Sequence, residues 1–139
     1  MDIGIRRLTF DDAAILHRVA VDVFDEPVNA KRLAAYLAEP GHLMIVALAG
    51  DEVVAQCAAV IHRHPDKPTE LYIDEVGVAP TFQRQGIARQ LLDETFALGK
   101  ALGCEEAWVG TEHDNHPARC LYASRGAEAE PFVMYVFQL

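Results

Sequence analysis

Apolar residues recur along this chain with two periods, and the change from one to the other marks its elements. "IGIRRLTF" reads as a first strand, with Thr9 or Asp11 able to cap a helix from roughly Asp12 to Val23. "DEPVN" breaks that helix, and Asn29 caps a second one through about Ala38, ended by Pro40-Gly41. "HLMIVAL" and "VVAQCAAVI", joined by "AGDE", predict a hairpin. After the proline-bearing loop "HRHPDKPT", "ELYIDEVGV" predicts the next strand. Positions 87, 88, 91, 92, 95, 96, 98 and 102 then follow the helical period, so a long helix is expected from about Gln85 to Leu102, ended by Gly103. "EEAWVGT" predicts a strand, "NHPARCLYASRG" a short helix closed by Gly126, and "EPFVMYVFQL" a last strand. This order predicts an α/β fold: one mixed, mostly antiparallel central sheet flanked by about four helices.

At 139 residues, without linker, repeat or low-complexity tract, the chain is expected to form a single domain over 1–139. Its apolar half (51%) marks it as globular rather than disordered. No apolar run approaches the roughly 18 residues of a membrane helix, and "MDIGIRRLTF" lacks the pattern of a signal peptide. Cys57, Cys104 and Cys120 form no CxxC pair and read as reduced thiols, so a soluble, cytoplasmic protein is expected. Twelve basic against 21 acidic residues leave a net charge of −9, which repels a phosphate backbone and disfavours nucleic acid as a partner. That charge draws in cations, or serves solubility alone.

The turn "FQRQGIAR" opens the long helix. Its amides and helix N-terminus suit an anion, Gly86 allows close approach or a positive φ, Arg84 and Arg89 add charge, and Gln83 and Gln85 add amide donors. Without GK[ST] it is no P-loop, and without three spaced glycines it is no dinucleotide fingerprint. An ordinary polar loop is the competing reading. In the preceding strand, Asp74 and Glu75 stand side by side; on a regular strand they point to opposite faces, so at least one carboxylate faces a packed layer, a wet cleft or an edge. Gly77 suits a bulge or a close backbone approach at the same place.

"VGVAPTFQRQGIARQLL" resembles the acetyl-CoA site of the GNAT superfamily of N-acetyltransferases, with Gln83, Gly86 and Ala88 matching the Q/R-x-x-G-x-G/A pattern. A second family motif, an asparagine before a short helix with Leu-Tyr and then a glycine, is matched by Asn115, Ala118, Leu121, Tyr122 and Gly126. From "TELYIDEVGV" through "LYASRGAEAE" the chain further resembles the aminoglycoside 3-N-acetyltransferases, departing from them where they carry Tyr-Asp and it has Asp74-Glu75. The resemblance implies a GNAT fold with acetyl-CoA as co-substrate and no metal. Backbone groups of Val76, Gly77 and Val78 would pair with the pantetheine arm, and amides of Arg84, Gln85, Gly86, Ile87 and Ala88, helped by Gln83 and Arg89, would bind the pyrophosphate. Asn115 would contact the pantetheine or the thiol region, and Tyr122 would act as general acid near the sulfur.

Acetyl transfer needs a base for the amine, an N–H for the oxyanion (which Val76 could supply) and a proton for the departing thiolate. Glu75 is the expected base, with His113 or a water chain next in line, and Asp74 and Glu112 are expected to select a cationic acceptor. Tyr122 also reads as a core aromatic. His62 with His64, and His113 with His116, lack a third metal ligand and read as loop histidines. Cys120, four residues after His116, has no orienting acid and reads as a small apolar residue. The expected reaction is acetylation of a primary amine on a small, aminoglycoside- or polyamine-like cation, with a protein or peptide acceptor and a non-catalytic acyl-CoA-binding module as alternatives. The expected partners are small molecules rather than nucleic acid or membrane, with a homodimer open.

Overall fold

The computed structural model describes residues 2–139. One five-stranded sheet, in the order β1-β2-β3-β4-β5, organises it. The strands are β1 (Ile3–Arg7), β2 (His42–Ala49), β3 (Glu52–His62), β4 (Glu70–Val78) and β5 (Glu106–Val109). Neighbours run antiparallel except β4 and β5, which are parallel. The three α-helices are α1 (Ala30–Ala38), α2 (Ile87–Ala101) and α3 (His116–Ser124), and two short 3-10 helices occupy Phe10–His17 and Pro80–Phe82. This is the mixed, mostly antiparallel α/β architecture that the element order predicts.

The core lies around β3, where Val53 to Ala59 are buried without alternation, as in a strand covered on both faces. The first 3-10 helix and α1 pack on each other, with α1 also against β2, while α2 lies across β2, β3 and β4. Helix α2 buries Ile87, Leu91, Leu92 and Thr95, spaced for one helical face. Each buried leucine contributes about 1.5–3 kcal/mol over an exposed one. Thr95 satisfies its hydroxyl within the helix, donating to Leu91 O at 2.7 Å.

Several predicted elements differ. The first helix is a 3-10 helix that stops at His17, because β3 takes the hydrogen bonds of the next residues. Val53 N–H donates to Arg18 O and Ala20 N–H to Val53 O, both at 2.9 Å, leaving Arg18 extended. Helix α2 starts at Ile87 rather than Gln85, and β5 stops at Val109, so Glu112 lies in the following loop and not in a strand. The predicted last strand does not form: residues 127–139 carry no regular structure, are exposed and join no ladder of the sheet among the described residues.

Candidate active site

The site starts from a bulge. Ala58 of β3 opposes Glu75 and Ala59 opposes Ile73, so Asp74 is the extra residue and has no partner across the ladder. The sequence expectation of opposite faces fails for this reason: Asp74 and Glu75 both line one cleft of about 390 Å³. Its apolar floor includes Leu33, Tyr36 and Met44, and Asp25, Glu26, Asp74 and Glu75 bring four carboxylates to its wall against one cation, Arg32.

The chain over this cleft is held by three contacts. Gly77 lies so close to Val23 that a Cβ there would sit 1.9 Å from Val23 O, which only glycine permits. Val23 O also accepts from Gln56 Nε2 at 3.2 Å. Glu75 Oε1 accepts from the Asp25 N–H at 3.1 Å, and Oε2 from Gln56 Nε2 at 3.0 Å. Burial raises the Glu75 pKa above the ordinary carboxylate value; the Asp25 and Gln56 donors oppose this in part, while the Asp25 carboxylate reinforces it. Tyr36, in the same cleft, donates its hydroxyl toward Leu43 O (2.6 Å) and Ala59 O (3.1 Å), and burial raises its pKa so that it stays protonated.

Next to the cleft the sheet opens. β4 pairs with β5 only from Glu70 to Ile73, and continues alone on that side to Val78. Ala79 N–H donates to Val54 O on β3 at 2.8 Å, so the alternation of backbone directions turns the N–H and C=O groups of Val76 and Val78 away from β3, onto the free edge. Gln83 donates its side-chain amide to Val78 O at 3.2 Å, tying the turn to the end of that edge.

In the turn itself, Arg84 (φ 62°) and Gly86 (φ 79°) are both left-handed. The first helical bond of α2 is Gln90 N–H to Gly86 O, 3.1 Å, which leaves the amides of Ile87, Ala88 and Arg89 without intrahelical acceptors. Arg84 and Arg89 are exposed and have no ion-pair partner among the described residues. Alternating backbone hands, free amides and two guanidinium groups without ion-pair partners among the described residues are the features that a concave anion site needs.

Helix α3 follows β5 in the chain and packs Leu121 and Tyr122 on the core. Asn115 caps it, its Oδ1 accepting from Ala118 N–H at 3.2 Å. Arg125 ties its end to α2 through both oxygens of Asp93, at 2.9 and 3.0 Å. Tyr122 is half-buried against the core, and burial, with the nearby Cys57 thiol, raises its pKa. Cys57, pushed up to about 11 by burial, faces Val76 across the β3–β4 ladder.

Glu112 is exposed and does not line the carboxylate cleft. His64 Nε2 pairs with Glu70 Oε1 at 2.8 Å, its ring 4.1 Å from that of His62, and Cys120 is exposed. Sequence reasoning missed Gln56, Asp25, Glu26 and Tyr36. Gln56 had a signal, as the one polar residue inside the apolar run "VVAQCAAVI", whereas Asp25 and Glu26 stood in a stretch read only as a helix breaker.

The profile of the acetyltransferase (GNAT) family matches residues 11–127. A protein of Lactobacillus delbrueckii subsp. lactis described as an uncharacterized N-acetyltransferase is 25% identical over 130 residues, covering 89% of this chain and 75% of its own. Among solved structures, an aminoglycoside acetyltransferase from an uncultured soil metagenomic sample is similar over 100% of both chains, with a TM-score of 0.83 and 20% identity. AAC(6')-Iy in complex with the bisubstrate analog CoA-S-monomethyl-acetylneamine is similar over 100% of both chains, with a TM-score of 0.82 and 19% identity. At these identities the structural likeness shows the fold alone.

Proposed function

Since the chain belongs to the acetyltransferase (GNAT) family, we propose that it transfers acetyl directly from acetyl-CoA to a primary amine of a small, aminoglycoside- or polyamine-like cation. The observation that carries this reading is the four-carboxylate cleft opening beside the unpaired edge of β4. A polycationic amine fits that wall by charge, and two proteins of the same fold, described above, are described as an aminoglycoside acetyltransferase and as a complex with an acetylneamine bisubstrate analog.

The residues present suit acetyl-CoA. The turn from Arg84 to Ala88, with Gln83 and Arg89, would hold the pyrophosphate. Val76, Gly77 and Val78 would hold the pantetheine arm as an added strand, with the NH2 of Asn115 reaching it from α3. In the reaction the amine, after losing a proton to Glu75 directly or through water, attacks the thioester carbonyl carbon. The oxyanion that forms takes a hydrogen bond from Val76 N–H. The C–S bond then breaks and the thiolate takes its proton from Tyr122, whose raised pKa keeps that proton in place at neutral pH. Asp74 would draw the cation in, with Glu112 on the loop beyond β5.

Acetyl-CoA-dependent turnover over a panel of aminoglycosides, polyamines and peptides tests the proposal. Turnover of the small polycations supports it. Peptide acetylation alone would replace the acceptor class, and acetyl-CoA binding without any turnover would make the chain a binding module.

A further inference from the structure

Helix α3 carries the proposed acid, yet none of its residues is buried. Ala118, Leu121, Tyr122 and Arg125 are the partly covered residues of 116–125, and their spacing is that of one helical face. Its hydrogen bonds are mostly local. Asn115 caps the first turn, Arg119 Nη1 donates to His113 O at 2.9 Å, and Ser124 Oγ donates to Leu121 O at 2.6 Å. Among the described residues, one hydrogen-bonded contact joins residues 112–127 to another element. In it, Arg125 Nη1 donates to both carboxylate oxygens of Asp93 on α2, at 3.0 Å to Oδ1 and 2.9 Å to Oδ2.

The two ends of this contact differ in what holds them. Arg125 lies one turn beyond Tyr122 on the same face, and its N–H donates to Tyr122 O at 3.0 Å. Asp93 stands on a helix that is fixed to the sheet by buried Ile87, Leu91, Leu92 and Thr95. It lies six residues after Ile87, about 9 Å along the helix axis. One end of α2 therefore carries the turn proposed for the pyrophosphate, and its flank carries α3. In acetyl-CoA a chain of fixed covalent length joins pyrophosphate to sulfur. An acid that must meet the sulfur has to be kept at a set distance from the pyrophosphate site.

We propose that Arg125 is a positioning residue for acetyl transfer: gripped by Asp93, it holds α3 against α2 so that the Tyr122 hydroxyl stands where the thiolate leaves. The inference rests on the reading of Tyr122 as the acid, and Arg125 acts through Tyr122 rather than on the reacting atoms. An ion pair this open to water adds little to fold stability. Its value lies in direction. Leu121 and Tyr122 pack on the core without it, but apolar contact is non-directional and lets a helix slide. A misplacement of about 1 Å from a remote change lowers a rate by about 10²-fold. Acetyl-CoA binding at the start of α2 is left as it was.

Kinetics of the full chain test it, with acetyl-CoA and the acceptor of the panel above that is turned over fastest. Arg125→Gln and Asp93→Asn should each lower kcat by about 10- to 100-fold, with the acetyl-CoA Kd from calorimetry and the Tm little changed. Arg125→Lys keeps the charge and should recover most of the loss. Tyr122→Phe combined with Arg125→Gln should be no slower than Tyr122→Phe alone, since misplacing an acid already removed adds no further loss. Should Arg125→Gln not fold, Asp93→Asn carries the same test from the exposed side of the pair. An unaltered kcat in the Arg125 and Asp93 variants, or losses that multiply in the double variant, overturns the positioning role and leaves Tyr122 as the acid. A loss of kcat matched by a loss of acetyl-CoA affinity or of Tm makes the pair a structural tie only, and overturns it as well. Full turnover in Tyr122→Phe overturns the acid reading and this inference with it.

Discussion

Gln56 and Glu75 meet across β3 and β4, the buried amide Nε2 donating to the carboxylate Oε2 at 3.0 Å. The same amide group donates to Val23 O at 3.2 Å, so Gln56 fixes both the candidate base and the chain that roofs the cleft. A donor to the ionised carboxylate lowers its pKa, opposing the burial that raises it. Glu75→Gln should lower kcat by about 10²–10⁴-fold and abolish the acidic limb of the pH profile, a limb that the raised Glu75 pKa should set at higher pH than an ordinary carboxylate would. Gln56→Met removes the donor at similar volume and should move that limb to still higher pH. An unchanged profile in both variants would assign the proton to His113 or to water.

The same shift predicts a stability trend. Glu75 binds its proton more tightly folded than unfolded, so across the window between the two pKa values the folded state holds more protons and stability falls as pH rises. Thermal denaturation of Glu75→Gln across that window should lack this contribution, and an identical slope in both proteins would contradict the raised pKa.

Gly86→Glu places bulk and negative charge at a left-handed position (φ 79°) facing the proposed pyrophosphate site. Calorimetry should show acetyl-CoA affinity falling by about 100-fold, the scale of one set of charged hydrogen bonds at roughly 1.5–3 kcal/mol. A folded variant with full affinity would remove the phosphate reading of the turn.

Tyr122→Phe keeps the half-buried ring and removes only the proton donor. kcat should drop by about 10- to 1,000-fold with acetyl-CoA binding little changed. Full turnover would make water the acid.

Asp74 is exposed on the bulge, so its attraction for an ammonium is screened and worth about 0–1 kcal/mol. Asp74→Asn should raise the KM for a polyamine by up to about fivefold, and Glu112→Gln, away from the cleft, by less. High salt should imitate both. A KM indifferent to salt and to both substitutions would end the cationic-acceptor reading and leave acetyl transfer intact.

Much of this fold could be read from the sequence, because most of its elements bury one face and write that burial as a period. β4 spans Glu70–Val78, as its apolar run and bounding loop predict, and α1 starts after Asn29 because a side-chain cap is a local interaction. The turn at Gly86 was legible for the same reason: glycine, amides and arginines act within a few residues. The carboxylate cleft was not. Adjacent residues share a face only if a bulge shifts the register, and the bulge at Asp74 is set by pairing with β3, not by β4's own residues. Likewise the helix predicted to reach Val23 yields at Arg18 because Val53, far along the chain, takes its hydrogen bonds. Gln56 becomes a partner of Glu75 only once two strands lie side by side. The C-terminal run shows the limit most clearly: its apolar run declares a strand, but a strand exists only where it pairs with a neighbour, and among the described residues 127–139 join no ladder.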